Sequence, residues 1–298
     1  MSENIQIYDV KWEIGAHISF SGSITNSLQK AIGYGMYAVQ IFLGNPKSFN
    51  RHKVSNEDII SSKQIIKRFP MHIISHFPYV ANLAGSKDIL AWNGDDIQDK
   101  KTMNIITNLQ YELNMLSNFT EKTGGVVVHP GNHKDKNKGL KAISKSINKI
   151  DFVKHSKLIL ENSAGGGTSL ATTFEEIKII IDNVEQNKQK HIGVCIDTCH
   201  LHSFGSYDLR KCDEIERMFV DFDKIVGLDK LALIHLNDSK TPFASKKDRH
   251  ELIMHGVIWK DDNSSLILLL NKCKKLNIPV ILETDISDML TISKLSNF

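Results

Sequence analysis

The chain is 298 residues long and carries 37 lysines and arginines against 34 aspartates and glutamates, a formal charge of +3, with a pI near 8.5. At that length it can bury a sizeable core, and 41% hydrophobic with 24% charged residues describes a globular chain and excludes a disordered one. No run approaches the roughly 18 apolar residues of a membrane span, the longest being Leu266–Leu270. Four cysteines are too few for a disulfide framework, and the first residues show no apolar leader. The expected setting is therefore intracellular and reducing, cytoplasmic or nuclear. A charge of +3 neither announces nor excludes a nucleic-acid partner. The 13 histidines, against six prolines and six tyrosines, are what needs a reason.

In chain order, after residues 1–11 as an N-terminal extension, short aliphatic runs alternate with segments of helical period. The run Glu13–Ile18 precedes a stripe of Ile24, Leu28, Ala31 and Ile32. Tyr37–Leu43 and His72–His76 come next, then a stripe of Ile106, Leu109, Leu113 and Leu116. Gly125–His129 and Lys157–Glu161 follow. Thr172 or Thr173, ahead of Glu175 and Glu176, predicts a capped start for the helix of Ile177, Ile180, Ile181 and Val184. His191–Asp197 is followed by a stripe of Ile215, Met218, Phe219, Phe222 and Val226, then by Leu231–Leu236 and Pro279–Glu283. No repeat, linker or low-complexity tract interrupts the pattern. Eight such units predict an α/β fold, a (β/α)₈ TIM barrel, with residues 1–298 as a single domain. An open doubly wound sheet needs fewer strands and favours a glycine-rich first turn, which Ser21-Gly22-Ser23 does not supply.

In such a barrel the chemistry sits at the C-terminal ends of the strands. The predicted strands end in His17, His76, His129, Glu161, Asp197 followed by His200, His235 and Glu283, and the loop after the seventh adds Asp248 and His250. Any one of these alone is an ordinary core or capping residue; Asp197, ahead of Thr198, can cap the next helix. His52, His72, His133, His155, His191 and His202 are left as core or surface residues. The joint pattern is what chance does not supply. Leaving His17 aside, five histidines and four carboxylates exceed what one first-row ion uses and imply two or three, with zinc foremost. Four unpaired carboxylates at one mouth would repel, so cations are also the sensible electrostatic filling. Cys195 and Cys199 make a weak zinc signature, and Cys195, two residues before Asp197, is read as a buried small hydrophobe deeper in the barrel. The Gly165-Gly166-Gly167 turn lacks the lysine of a P-loop and is read as backbone passing close to the mouth, or as a flexible loop.

These residues resemble the endonuclease IV type of apurinic/apyrimidinic (AP) endonuclease. The likeness runs from IGAHIS (Ile14–Ser19) to VILET (Val280–Thr284) and rests on VCIDTCH (Val194–His200), HLNDSK (His235–Lys240), DRH (Asp248–His250), ILEN with AGGG (Ile159–Gly167) and HPGNH (His129–His133). The resemblance implies three zinc ions per chain, with Mn²⁺ possible in one site. His76 and His129 would hold the first, Glu161 would bridge it to a second completed by Asp197, His235 and Glu283, and His200, Asp248 and His250 would hold the third. Glu161 and Glu283 are the implied catalytic carboxylates. The implied reaction cuts duplex DNA 5′ to an abasic site, leaving a 3′-hydroxyl and a 5′-deoxyribose phosphate, with trimming of blocked 3′ ends. His17, Lys47, Tyr79 and Val80 are the implied DNA contacts, and a monomer with no membrane partner is expected. Three zinc ions would raise the net charge from +3 to about +9, beside Lys134, Lys136, Lys138, Lys240, Lys246 and Lys247 in loops of the same face.

The chain departs from the family in places. Lys47 stands where relatives carry arginine, replacing a planar group by a flexible point charge. Ile253-Met254-His255-Gly256 replaces a Gly-Glu-Gly turn, with His255 at the glutamate's place, and the stretch Lys87–Lys101 looks longer. The tail beyond Glu283 is short, so an abbreviated last helix is expected. A sugar isomerase or epimerase on a one- or two-metal barrel is the rival reading, and it would leave His200, Asp248 and His250 without a task. A DNA-binding module with a structural metal does not fit, because structural sites are small and closed.

Overall fold

The computed structural model describes residues 12–85, 100–119 and 124–295; the N-terminal extension and most of the 85–101 stretch lie outside the described residues. Eight parallel strands close into a barrel. These are β1 (Ile14–His17), β2 (Ala38–Ile41), β3 (His72–His76), β4 (Gly125–Val128), β5 (Leu158–Glu161), β6 (Ile192–Asp197) and β7 (Leu231–His235), and the circle ends with β10 (Val280–Leu282) between β7 and β1. Each predicted strand is present; His72–His76 has the predicted bounds, and the other seven are shortened by one or two residues at one or both ends where the ladder gives way to turns. His129 and Glu283 consequently sit one residue past their strands.

The outer layer comprises α1 (Ile24–Gly33), α2 (Asn56–Arg68), α3 (Lys100–Leu116), α4 (Lys136–Asn148), α5 (Phe174–Asp182), α7 (Cys212–Ile225), α8 (Ser264–Leu276) and α9 (Ser287–Leu295), while α6 (Thr198–Phe204) is an extra short helix directly after β6. Local chemistry starts them. The side chains of Ser23, Ser55, Asp135 and Thr173 each accept from the backbone N–H three residues on. At α5 the Glu176 carboxylate also returns to the Thr172 N–H at 3.0 Å, so both threonines of the predicted start are used. Lys136 and Lys138 lie in the first turn of α4 instead of a loop, a correction that follows from the Asp135 cap. The last helix α9 has nine described residues.

The core has two parts. A large cluster packs the helical stripes against the outside of the barrel. A small one fills the barrel itself: Ala38, Ile74, Val127, Ile159, Cys195, Leu233 and Ile281. The period of two along a strand then decides what lies above. Two residues on from each member stand Gln40, His76, His129, Glu161, Asp197, His235 and Glu283. The greasy tier of the interior is thus the floor of a polar tier, and Cys195 is the buried hydrophobe its place below Asp197 predicts.

Two further strands lie outside the barrel. β8 (Asp238–Ser239) pairs antiparallel with β9 (His250–Glu251), with Ser239 opposite His250. This ribbon returns the chain to the mouth after the loop that follows β7. It is pinned by the buried Asp238 carboxylate, which accepts N–H bonds from Ser239, Met254, Gly256 and Ile258 at 2.7–3.2 Å.

Candidate metal centre

The polar tier and the ribbon bring the nine sequence-predicted residues together in three adjoining groups, the first two sharing Glu161, in each of which one donor atom per residue lies within 4.8 Å of the others. In the first, His76 Nδ1 donates to the Phe77 carbonyl at 2.8 Å, which turns the bare Nε2 inward, 3.3 Å from Glu161 Oε2. His129 Nε2 lies 3.5 Å from the same oxygen. That oxygen is buried and has no hydrogen-bond partner among the described residues. In the second, Glu161 Oε1 and Glu283 Oε2 flank His235 Nδ1 at 3.0 and 3.3 Å, with Asp197 alongside. In the third, His200 donates from Nδ1 to the Asn162 carbonyl at 2.8 Å and points Nε2 at Asp248 Oδ2, 3.2 Å away. His250 Nε2 stands 3.2 Å from Asp248 Oδ1 and 3.6 Å from Asp197 Oδ2, joining the third group to the second.

Burial penalises charge here, and the groups answer it together. Burial raises the Asp197 carboxyl. Against the same burial, His129 and His235 hold Glu161 well below its usual range, and His235 brings Glu283 down to about 2. Asp197 and Asp248 push His200 up despite burial, and push His250 up to about 9. The carboxylates thus demand positive charge, and protons on histidines are a weaker supply than divalent cations. Imidazole lone pairs and an unpaired buried carboxylate oxygen converging on one point are donors that fit such an ion. Cys199 also approaches Asp197 and His250, but burial pushes its thiol up to about 12, which disfavours the thiolate a metal needs.

Neutral residues that the sequence reading did not single out orient these donors. Gln40 donates to Glu283 Oε1 at 2.7 Å and accepts from His235 Nε2 at 2.8 Å. Asn237 donates to both Asp197 Oδ2 at 2.6 Å and Glu283 Oε2 at 2.9 Å. Asn162 accepts from His200 through its carbonyl, and its side chain accepts the Asp197 N–H at 2.7 Å. The sequence carries signals for them: Gln40 holds the tier position of β2, Asn162 directly follows Glu161 in ILEN, and Asn237 lies two residues after His235 in HLNDSK. Asp197 Oδ1 caps α6 through the His200 N–H at 2.8 Å, as its place ahead of Thr198 suggests, while Oδ2 faces the cluster.

The remaining predicted residues sit around this centre. His17 lies at the end of β1, its Nδ1 3.2 Å from Gln40 Nε2, and burial lowers it to about 4. Tyr79, half exposed, packs its ring against His76 and His129 with centroids 5.1 and 5.7 Å away, and Phe42 joins His17, His76 and Tyr79. Val80 is equally exposed, and Lys47 is exposed at the tip of the loop after β2. A cleft of about 250 Å³ beside the cluster is lined by Tyr79, His129, Gly131, Gly166, His200, Lys246 and Asp248 among others. The glycine turn does pass close: a Cβ on Gly165, whose φ is +80°, would lie 2.3 Å from the Phe204 ring. His255 lies outside all three groups, exposed in a groove with Arg210, Lys240 and Lys260. Of the histidines set aside, His202 is fully buried against Phe243, and neither of its ring nitrogens has a partner among the described residues.

Comparison with known proteins bears on this arrangement. The family model for xylose isomerase-like TIM barrels matches residues 28–287. A protein of Halothermothrix orenii named probable endonuclease 4 is 37% identical over 91% of this chain and 92% of its own length, and one of Clostridium botulinum with the same name is 34% identical over the same shares. Among solved structures, endonuclease IV of Thermus thermophilus superposes with a TM-score of 0.77 at 23% identity, covering 95% of this chain and 98% of its own, a likeness of fold. A D-tagatose 3-epimerase-like protein shares the barrel at a TM-score of 0.60 and 18% identity, covering 95% of this chain and 94% of its own. Among the described residues no helix is long and apolar enough to cross a membrane. On the strength of the full-length relatives, the chain belongs to the endonuclease IV family of hydrolases within the xylose isomerase-like TIM barrels.

Proposed function

We propose that the chain is a zinc-dependent AP endonuclease of base excision repair, acting as a monomer on duplex DNA. It hydrolyses the phosphodiester bond 5′ to an abasic site, leaves a 3′-hydroxyl and a 5′-deoxyribose phosphate, and trims blocked 3′ ends. The observation that carries this reading is the continuity of the nine donors, with the His200, Asp248 and His250 group joined to the rest through Asp197. A sugar-isomerising site of one or two ions gives that group nothing to do. Zinc in the three groups, or Mn²⁺ in one of them, supplies positive charge for phosphate oxygens and a water acidic enough to lose a proton near neutral pH.

The chain's own residues do the rest. Glu161 offers one oxygen to each of two groups, Oε2 toward His76 and His129 and Oε1 toward His235, so it sets their separation. Glu283 is held by N–H donors from Gln40 and Asn237, which fixes the direction in which its lone pairs point. Tyr79, Val80, Lys47 and His17 form the rim that meets the duplex. An abasic nucleotide has no base to unstack, so its extrusion toward the cleft costs less than flipping a paired one. The exposed Lys134, Lys240, Lys246 and Lys247 add sequence-independent attraction for the backbone. The test is cleavage of a labelled duplex holding one abasic analogue by zinc-loaded protein. A single nick 5′ to the lesion with a 3′-hydroxyl end is expected; an intact duplex, with turnover of a ketose or aldose instead, overturns the reading.

A further inference from the structure

The loop Gly44–Arg51, which displays Lys47, is held from within the fold. Its ends pair as an antiparallel bridge between Gly44 and Arg51, and its backbone is tied to the next loop by the Tyr79 N–H to the Pro46 carbonyl at 3.0 Å. The Arg51 guanidinium lies under the loop and donates to the Ser48 carbonyl at 3.0 Å and the Asn50 carbonyl at 3.3 Å. Packing there is close: a Cβ on Gly44 would lie 2.3 Å from the guanidinium. The same guanidinium meets Glu112 of α3, Nε to Oε1 at 3.2 Å, with both side chains buried, and sits over the Phe77 ring. Glu112 in turn accepts from the hydroxyl of Ser75, the residue before His76 on β3. Neither Arg51 Nε nor Glu112 Oε1 has a hydrogen bond among the described residues, so the ion pair is what compensates their burial.

We propose that Arg51 is a positioning residue: anchored on Glu112, it fixes the Gly44–Arg51 loop so that Lys47 is presented to DNA beside Tyr79. The proposal rests on the reading of the chain as an AP endonuclease. A buried arginine bound to two carbonyls of one loop and to one carboxylate of a helix beneath it converts a surface loop into a fixed arm. That spares Lys47 the ordering cost a free loop would meet on binding. Charge alone does not require this, since lysine could pair with Glu112; the two carbonyls require the fork of the guanidinium.

The decisive variant is therefore Arg51→Lys, which keeps the buried charge paired and removes the fork. Zinc content and circular dichroism should match the wild type, and the single-turnover rate at saturating enzyme should stay within about twofold. Affinity for the abasic duplex should fall about tenfold, as far as in Lys47→Ala, with no further loss when the two are combined. Should Arg51→Lys fail to fold, the double variant Arg51→Met with Glu112→Leu removes the pair without stranding a charge and carries the same expectation. Wild-type affinity in either variant, or losses that add fully with Lys47→Ala, overturns the proposal. Failure of the wild-type protein to nick the duplex overturns the functional reading instead, so the two failures are separate.

Discussion

Two regions of this molecule hold the donors, and they are built differently. Six of the nine, His76, His129, Glu161, Asp197, His235 and Glu283, stand on the tier two residues above the apolar plug of the barrel. Strand register sets their places, and the plug beneath leaves the backbone no freedom. Asp248 and His250 arrive instead on the two-residue ribbon of β8 and β9 and the loop that leads into it, and the Asp248 side chain is half exposed. His200 lies between the two, on the short helix that Asp197 caps. The tier inherits its rigidity from the fold as a whole, whereas the ribbon depends on a few local bonds: the Asp238 carboxylate accepts four N–H groups, the Lys240 N–H donates to the Arg249 carbonyl at 2.8 Å, and the Ile253 N–H donates to Asp288 Oδ1 at 3.0 Å. Positions set by register are shared by the whole barrel; positions set by a few local bonds depend more on each of them.

That contrast can be broken by substitution. Glu161→Ala should have the largest effect, because it removes the one residue whose two oxygens face two donor groups. Several kcal/mol of charge stabilisation correspond to a loss on the order of 10³-fold in kcat, with the far-UV circular dichroism of the barrel kept. Wild-type turnover from that variant would refute the bridging role. Asp238→Ala touches no donor, yet leaves four N–H groups, three of them buried, without their acceptor, at about 1–3 kcal/mol for each buried one left unsatisfied. The expected result is a ribbon that no longer holds His250 and Asp248, a fall of about one zinc per chain and about 10- to 100-fold lower activity. If metal content stays at the wild-type level, the pin is not what holds the ribbon. The smallest effect belongs to the rim. Lys47→Ala should weaken duplex binding about tenfold, the worth of one charged contact of about 1.5 kcal/mol, while single-turnover chemistry at saturating enzyme is retained; a slowed chemical step with unchanged affinity would contradict this.

Much of the tier was legible in the sequence, and for a physical reason. A strand buried on both faces reads as a continuous aliphatic run, so its polar end is conspicuous when it falls on His, Asp or Glu. Gln40 occupies the same tier and was passed over because an amide does not announce itself as part of a metal cluster, although it holds both His235 and Glu283. The ribbon was not legible as structure. Residues 238–251 carry no alternating apolar pattern, and only the DRH motif signalled that Asp248 and His250 belonged at the mouth. Arg51 and Glu112 were invisible for a different reason: they lie far apart in the sequence, and neither stands at a strand end. The balanced charge of +3 likewise hid a mouth where four carboxylates and five histidines meet, because composition averages over position.

The claim on which all of this depends is that the tier and the ribbon together hold three cations. Metal analysis of the purified, zinc-equilibrated chain, compared with the same chain carrying Asp248→Ala, tests it most directly. About three zinc ions per chain, falling to about two in the variant, is the predicted result. One zinc per chain in both would contradict it.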